Sequence, residues 1–158
     1  MEQRVNYLNV GPGAIAAMYG LETYLAKSSI ESSLLHLIKL RVSQINGCAY
    51  CIDMHSKDLR AEGETEQRLY LLDAWREAPF YTERERAALS WAEAVTLVTA
   101  GHVPDHVFEE VRKQFSESEL VDLTLAITTI NAWNRLSIAF RVEPGTYQPK
   151  SKESALVR

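Results

Sequence analysis

The chain has 158 residues, 46% of them hydrophobic, with 17 Lys and Arg against 21 Asp and Glu and a formal net charge of −4. That length suits one domain with a sizeable core rather than a multidomain enzyme or a disulfide-stapled miniprotein. There is no Lys/Arg block that would track a phosphate backbone, no run of about 20 apolar residues and no charged-then-apolar start, so the expectation is a cytoplasmic protein with no nucleic-acid or membrane partner.

Only 7 Gly and 5 Pro punctuate a sequence rich in Ala, Leu, Glu and Arg, which predicts an all-α fold. Residues 12–27 are expected to form an N-terminal helix. Ser28-Ser29-Ile30-Glu31 has the form of a capping box, which predicts a helix from about Ser29 to Ile45. Asn46-Gly47 reads as its stop, with a second helix starting at or beside Cys48 and ending at Gly63. Further helices are expected at 65–77, at 83–100 behind the box Thr82 to Glu85, and at 104–115 with Pro104 in the first turn. Ser116 to Glu119 is a third box and opens the longest segment, 117–140. Its apolar residues run nearly all round, as in a helix buried in the monomer or between subunits. The domain is expected to span 1–143, with its core at 28–140, and 144–158 reads as a C-terminal arm or tail.

The two cysteines lie within four residues, Cys48-Ala49-Tyr50-Cys51. In a reducing compartment such a pair is more often redox-active or metal-binding than structural. At 100° per residue, Cys51 and His55 fall about 60° and about 20° from Cys48, so all three share one helical stripe. A Cys and a His one turn apart can exchange a proton, and a second thiol three residues away can attack an oxidised sulfur to close a disulfide. A free thiol with a pKa of about 8.5 is only a few per cent thiolate at pH 7. Bringing it to about 6 needs about 3.4 kcal/mol, of which a helix N-terminus supplies at most about 2. A hydrogen-bonding partner such as His55 is therefore expected. The lesser readings of the same residues are buried small hydrophobes with a core histidine, or, with His36, a Cys2His2 zinc set. The zinc set is weakened because the histidines flank the pair separately, and no metal or cofactor is expected. Helix-dipole reasoning makes Cys48 the more acidic thiol, whereas the spacing to His55 favours Cys51.

His36 can face the CxxC stripe if the two helices fold back antiparallel, and Tyr50 falls on the far side, where packing is expected. His102 and His106 straddle Pro104 and read as a loop-to-helix boundary. Asn131, Asn134 and Arg135 interrupt an apolar helix and are expected to form a packing network, because buried polar groups need partners.

The stretch Leu37 to His55, with Ala74-Trp75-Arg76-Glu77-Ala78-Pro79, Glu85 to Leu89 and Ile130 to Arg135 following in order, resembles the AhpD-like alkylhydroperoxidase branch of the carboxymuconolactone decarboxylase superfamily. The resemblance covers residues 30–140. It implies a helical domain of six to seven helices assembling as a trimer or hexamer. It also implies a thiol-dependent peroxidase that reduces organic hydroperoxides or hydrogen peroxide and is recharged by a dithiol or redoxin-type donor. By position, Cys51 resembles the peroxidatic cysteine, Cys48 its resolving partner and His55 the base of the proton relay. Where the family pattern has a glutamate 12 residues before the first cysteine this chain has His36, and where it can carry a histidine before the second it has Tyr50. His36 is expected to take the glutamate's place in the relay, as a proton carrier of different pKa. The competing expectation is a redox- or zinc-responsive binding protein without turnover, and a blander one is a helical oligomerisation scaffold.

Overall fold

The computed structural model describes residues 2–149. Among the described residues there are nine α-helices, one 3-10 turn and no strand. The order is α1 (Tyr7–Val10), α2 (Pro12–Leu25), α3 (Ser32–Asn46), α4 (Ala49–Glu62), α5 (Glu66–Tyr70), the 3-10 turn Leu72–Ala74, α6 (Glu83–Thr96), α7 (Val98–Gly101), α8 (Asp105–Val111) and α9 (Glu117–Phe140).

Helix α3 explains the layout. It is buried on both sides: Leu34, Leu35, Ile38 and Val42 join one cluster with α6, α8 and α9, while Leu37 and Leu40 join a second with Leu59, Leu72, Trp75 and Leu89. A helix apolar around most of its circumference is stable only inside such a sandwich, and each large side chain withdrawn from water contributes roughly 1.5–3 kcal/mol before relaxation of the unfolded chain is allowed for. Gly47 ends α3 in the left-handed conformation, with φ of 67°, which a residue lacking Cβ adopts without strain. The chain then reverses, and Ser32 Oγ donating to Glu62 Oε1 at 2.9 Å ties the start of α3 to the end of α4, so the two helices run antiparallel.

The capping boxes at Thr82 and Ser116 form as expected, each hydroxyl accepting from the third amide of its helix and each glutamate returning the bond. The box at Ser28 does not form. Ile30 and Leu25 are drawn into the core, residues 26–30 make a turn, and α3 begins three residues later than expected, at Ser32 with Glu31 before it. Helix breaks account for nine segments where six to seven were expected. The 65–77 segment splits into α5 and the 3-10 turn, and 83–100 splits at Leu97 inside a run of β-branched residues, which lose side-chain freedom in a helix. Helix α1 was not anticipated, and Pro104 stands just before α8 rather than inside its first turn.

Residues 143–149 pass over α4. Gly145 N–H donates to Asp53 Oδ2 at 3.0 Å, Lys57 Nζ donates to the carbonyls of Gly145 and Tyr147, and the Tyr147 hydroxyl donates to Asp58 Oδ1 at 2.6 Å. The remainder of the expected tail, from Lys150 onward, lies outside the described residues.

Candidate active site

Cys48 is the residue before the first turn of α4, and Cys51 follows one turn into it. Both are free thiols with 1% of their surface exposed, and their sulfurs lie 2.8 Å apart. At that separation one S–H serves both sulfurs. The hydrogen bond from Cys51 holds the Cys48 thiol down at about 7 against the opposing effect of burial, and the backbone amide of Cys51 assists. The same bond, and burial after it, push the Cys51 thiol up. The pair therefore carries a single negative charge near neutrality, centred on Cys48, as the helix dipole favours.

Helix α9 supplies the polar surroundings. Ser137 Oγ is 3.8 Å from Cys51 Sγ and 3.4 Å from the Tyr7 hydroxyl. Asn134, fully buried, accepts from Asn46 Nδ2 at 2.8 Å and donates to Ser43 Oγ at 3.1 Å, while Asn131 accepts from the same Asn46 amide and from Arg135. The amides that interrupt the apolar helix thus bind α9 to the α3–α4 turn that carries Cys48.

His55 is one turn beyond Cys51 and 4% exposed. Burial first, then Lys39 and His36, depress its pKa well below the usual imidazole value, so the ring is neutral. Among the described residues neither of its nitrogens has a hydrogen-bond partner. Its Nδ1 lies 3.8 Å from Asp58 Oδ2, and His36 Nδ1 lies the same distance from that oxygen. His36 Nε2 is 3.5 Å from Glu62 Oε1, and the two rings are 5.7 Å apart. Burial depresses His36 as well, against the pull of Glu62 and Asp58. The antiparallel packing of α3 and α4 thus brings His36 to the histidine and carboxylate of α4.

These groups line a cavity of about 410 Å³ shared by Cys51, Met54, His55, Asp58, Lys39 and an aromatic wall of Tyr7, Tyr19, Tyr50, Trp133 and Tyr147. Lys39 Nζ is held by Glu22 at 2.5 Å, and Glu22 also accepts from Trp133 Nε1. Cys48 lines a different cavity, of about 570 Å³, on the other side of the pair, and Tyr50 and Ser137 border both. Tyr50, expected only to pack, is half-buried between the two openings.

Among the described residues the donor atoms that converge most closely are those of His36, His55 and Asp58, within 4.8 Å of one another, and the cysteines do not join them. The Cys2His2 set considered from the sequence does not assemble. The 3.8 Å separations also exceed the roughly 3.3 Å between neighbouring ligands of a tetrahedral zinc with bonds of about 2.0–2.1 Å. Asp58, Ser137 and Tyr147 were missed from the sequence, and Asn134 was expected in a packing network but not beside the cysteines. Asp58 falls on the Cys51–His55 stripe at i+7 and i+3 and was legible there. The other three reach the site only through tertiary packing.

A buried dithiol at a helix start, with a histidine one turn along and a cavity on each side, is the candidate reaction centre of this helical protein. The chain belongs to the carboxymuconolactone decarboxylase family, whose model matches residues 12–94, and within it to the AhpD-like branch. It is 50% identical to the uncharacterised Bacillus subtilis protein YdfG over 139 residues, 88% of this chain and 95% of that one. A solved structure of an Agrobacterium tumefaciens protein of unknown function, suggested to be the antioxidant defence protein AhpD, superposes with a TM-score of 0.89 at 46% identity, covering 92% of this chain and 100% of that one. The debrominase Bmp8 shares the fold, with a TM-score of 0.73 at 23% identity over 85% of this chain and 73% of that one.

Proposed function

We propose that this protein is a thiol-dependent peroxidase whose Cys51 reduces hydroperoxides and whose Cys48 closes the disulfide. The observation that carries the reading is the 2.8 Å contact between two buried thiols, one of which opens on a cavity beside a neutral histidine. The proton of Cys51 passes to the Cys48 thiolate or to His55, and the Cys51 thiolate attacks the terminal, hydrogen-bearing oxygen of the O–O bond. The O–O bond breaks, the alcohol (or water) leaves with one proton, and Cys51 becomes a sulfenic acid. The Cys48 thiolate then attacks the Cys51 sulfur, and the hydroxyl leaves as water with a second proton. One proton comes from Cys51 and the other, given up to solvent when Cys48 ionises, returns from solvent, and a dithiol or redoxin-type donor restores the two thiols.

His55 is too weak a base to store a proton, so it passes protons onward. Asp58, His36 and Glu62 continue toward the surface in steps of 3.8, 3.8 and 3.5 Å, gaps that small side-chain rotations bring to hydrogen-bond distance. In this reading His36 occupies the place of the family's glutamate, and Asp58 is a member of the relay. The aromatic wall favours an organic hydroperoxide over hydrogen peroxide, because an apolar substituent gains from leaving water there.

The protein acts in the cytoplasm as a homo-oligomer, a trimer or hexamer. Supporting the oligomer, the apolar side chains Tyr70, Val10 and Val121 stand 74%, 72% and 67% exposed. Light scattering reads the mass directly. The purified protein is expected to consume cumene hydroperoxide in the presence of a dithiol, and Cys51→Ser to abolish turnover. Full turnover by that variant defeats the assignment, and a chain that oxidises once without turnover supports a redox-responsive binding protein instead.

A further inference from the structure

The CxxC pair forms a wall between two cavities. Cys51 belongs to the aromatic one, with His55, and Cys48 belongs to the other, whose rim carries Arg4, Ile138, Arg141 and Glu143. Displacement at a sulfur runs in line, with the incoming thiolate opposite the leaving one. For a Cys48–Cys51 disulfide, the approach to Cys48 that keeps Cys51 behind it is therefore from the Cys48 cavity.

Arg141 marks that cavity independently. It closes α9 with φ of 56° and ψ of 54°, a left-handed conformation that is uncommon for a residue with a side chain. Its side chain is half-buried, and among the described residues no carboxylate lies within 4 Å of its guanidinium. Arg4, anchored through its amide to the Phe140 carbonyl and through its guanidinium to that of Ala139, stands beside it. With Glu143 as the acidic residue on the rim, the opening is net positive.

We infer that the two substrates use separate doors: the hydroperoxide reaches Cys51 through the aromatic cavity, and a small anionic dithiol reaches Cys48 through the other, where Arg141 with Arg4 receives its anionic group. This rests on the thiol-cycle reading. One thiolate of the reductant attacks Cys48 Sγ, the Cys48–Cys51 bond breaks, and Cys51 leaves as thiolate beside His55. The second thiol of the reductant, deprotonated, attacks its own sulfur in the mixed disulfide, and Cys48 leaves as thiolate while the reductant departs as a cyclic disulfide. Two electrons pass to the protein, and the two dithiol protons go to the regenerated thiols and to solvent.

Two measurements on protein oxidised with diamide test the inference without requiring peroxidase turnover. In the first, 2-mercaptoethanesulfonate is added, the mixture is quenched in acid and peptides are weighed. The adduct is expected on Cys48, and an adduct on Cys51 overturns the proposal. In the second, the rate of disulfide reduction is compared for dithiothreitol, which is uncharged, and 2,5-dimercaptoadipate, which has the same dithiol spacing and two carboxylates. Arg141→Asn, a residue that tolerates the left-handed conformation, is expected to slow reduction by the dianion by about tenfold, the loss of about 1.4 kcal/mol of charge-assisted contact, with dithiothreitol unchanged and Arg141→Lys largely restored. An equal loss for both reductants, or no loss for either, overturns it. In the peroxidase assay kcat/KM for the hydroperoxide is expected to stay at the wild-type value in Arg141→Asn, because it reports only the oxidising half of the cycle, and a lowered one overturns the separation of doors.

Discussion

Acidification is expected to destabilise this protein through His55, by an amount the structure bounds. The folded protein holds the imidazole neutral because burial, assisted by Lys39 and His36, depresses its pKa well below 6.5, whereas the unfolded chain protonates it near that value. Between the folded and unfolded values the unfolded state therefore binds more protons. Stability is fully present above pH 6.5 and falls as the pH drops, with a slope approaching about 1.36 kcal/mol per unit. From about pH 7.5 to about pH 5 this amounts to up to about 2 kcal/mol, a sizeable part of the 5–15 kcal/mol typical of a domain. His36, whose pKa is also depressed, adds to the slope with the same sign, so the test is a difference. Urea unfolding of the wild type and of His55→Gln at several pH values isolates the term. The stability gap between them should shift by up to about 2 kcal/mol in favour of the variant on acidification. Parallel curves would refute the claim that the ring is buried neutral.

Three further outcomes follow from the same geometry. Cys51→Ala removes the S–H that principally holds Cys48 down at about 7, so the pH midpoint of Cys48 alkylation by iodoacetamide should rise by about one unit or more; a midpoint unmoved from 7 would assign the acidity to the helix start alone. Asn134→Leu leaves Asn46 short of an acceptor and Ser43 of a donor at a fully buried position, and should cost about 2–4 kcal/mol in thermal or urea unfolding, with a loss below about 1 kcal/mol contradicting the role of the network. Gly47→Ala meets nothing within 4 Å, so its cost is conformational alone, about 1 kcal/mol, and Gly47→Asn should lose less because asparagine tolerates the left-handed region.

The parts of this fold that follow from local chemistry were legible in the sequence. Gly47 and Gly63 end helices in the left-handed conformation because the residues before them are helical and these lack Cβ, and Thr82 and Ser116 cap because a glutamate stands three residues on. Ser28 carries the same signature and fails, because the core claims Ile30 and Leu25 more strongly than a capping bond, which contributes about 1 kcal/mol. The stripe of Cys48, Cys51 and His55 was readable from helical period. Asp58, on the same stripe, was overlooked because a carboxylate on an exposed-looking helix reads as a solvated charge until α3 covers it. Tyr147 could not be found this way: it reaches Asp58 across 89 residues of chain. Nor could the two cavities, since which sulfur faces which depends on how α9 and the segment after it lie against the start of α4.

A pair of buried sulfurs already in contact also says what its oxidation can communicate. Joining them shortens their separation from 2.8 Å to about 2.05 Å, a movement below 1 Å within the first turn of a helix whose entry is pinned by the Asn46–Asn134 network. A sensor has to make its oxidised form look different to a partner, which requires that a covalent change be amplified into a change of surface. Here little of the outer shape need change when the bond forms, so the redox state stays private to whatever can reach the sulfurs. Such a site is suited to being read by chemistry, one molecule at a time, rather than by shape.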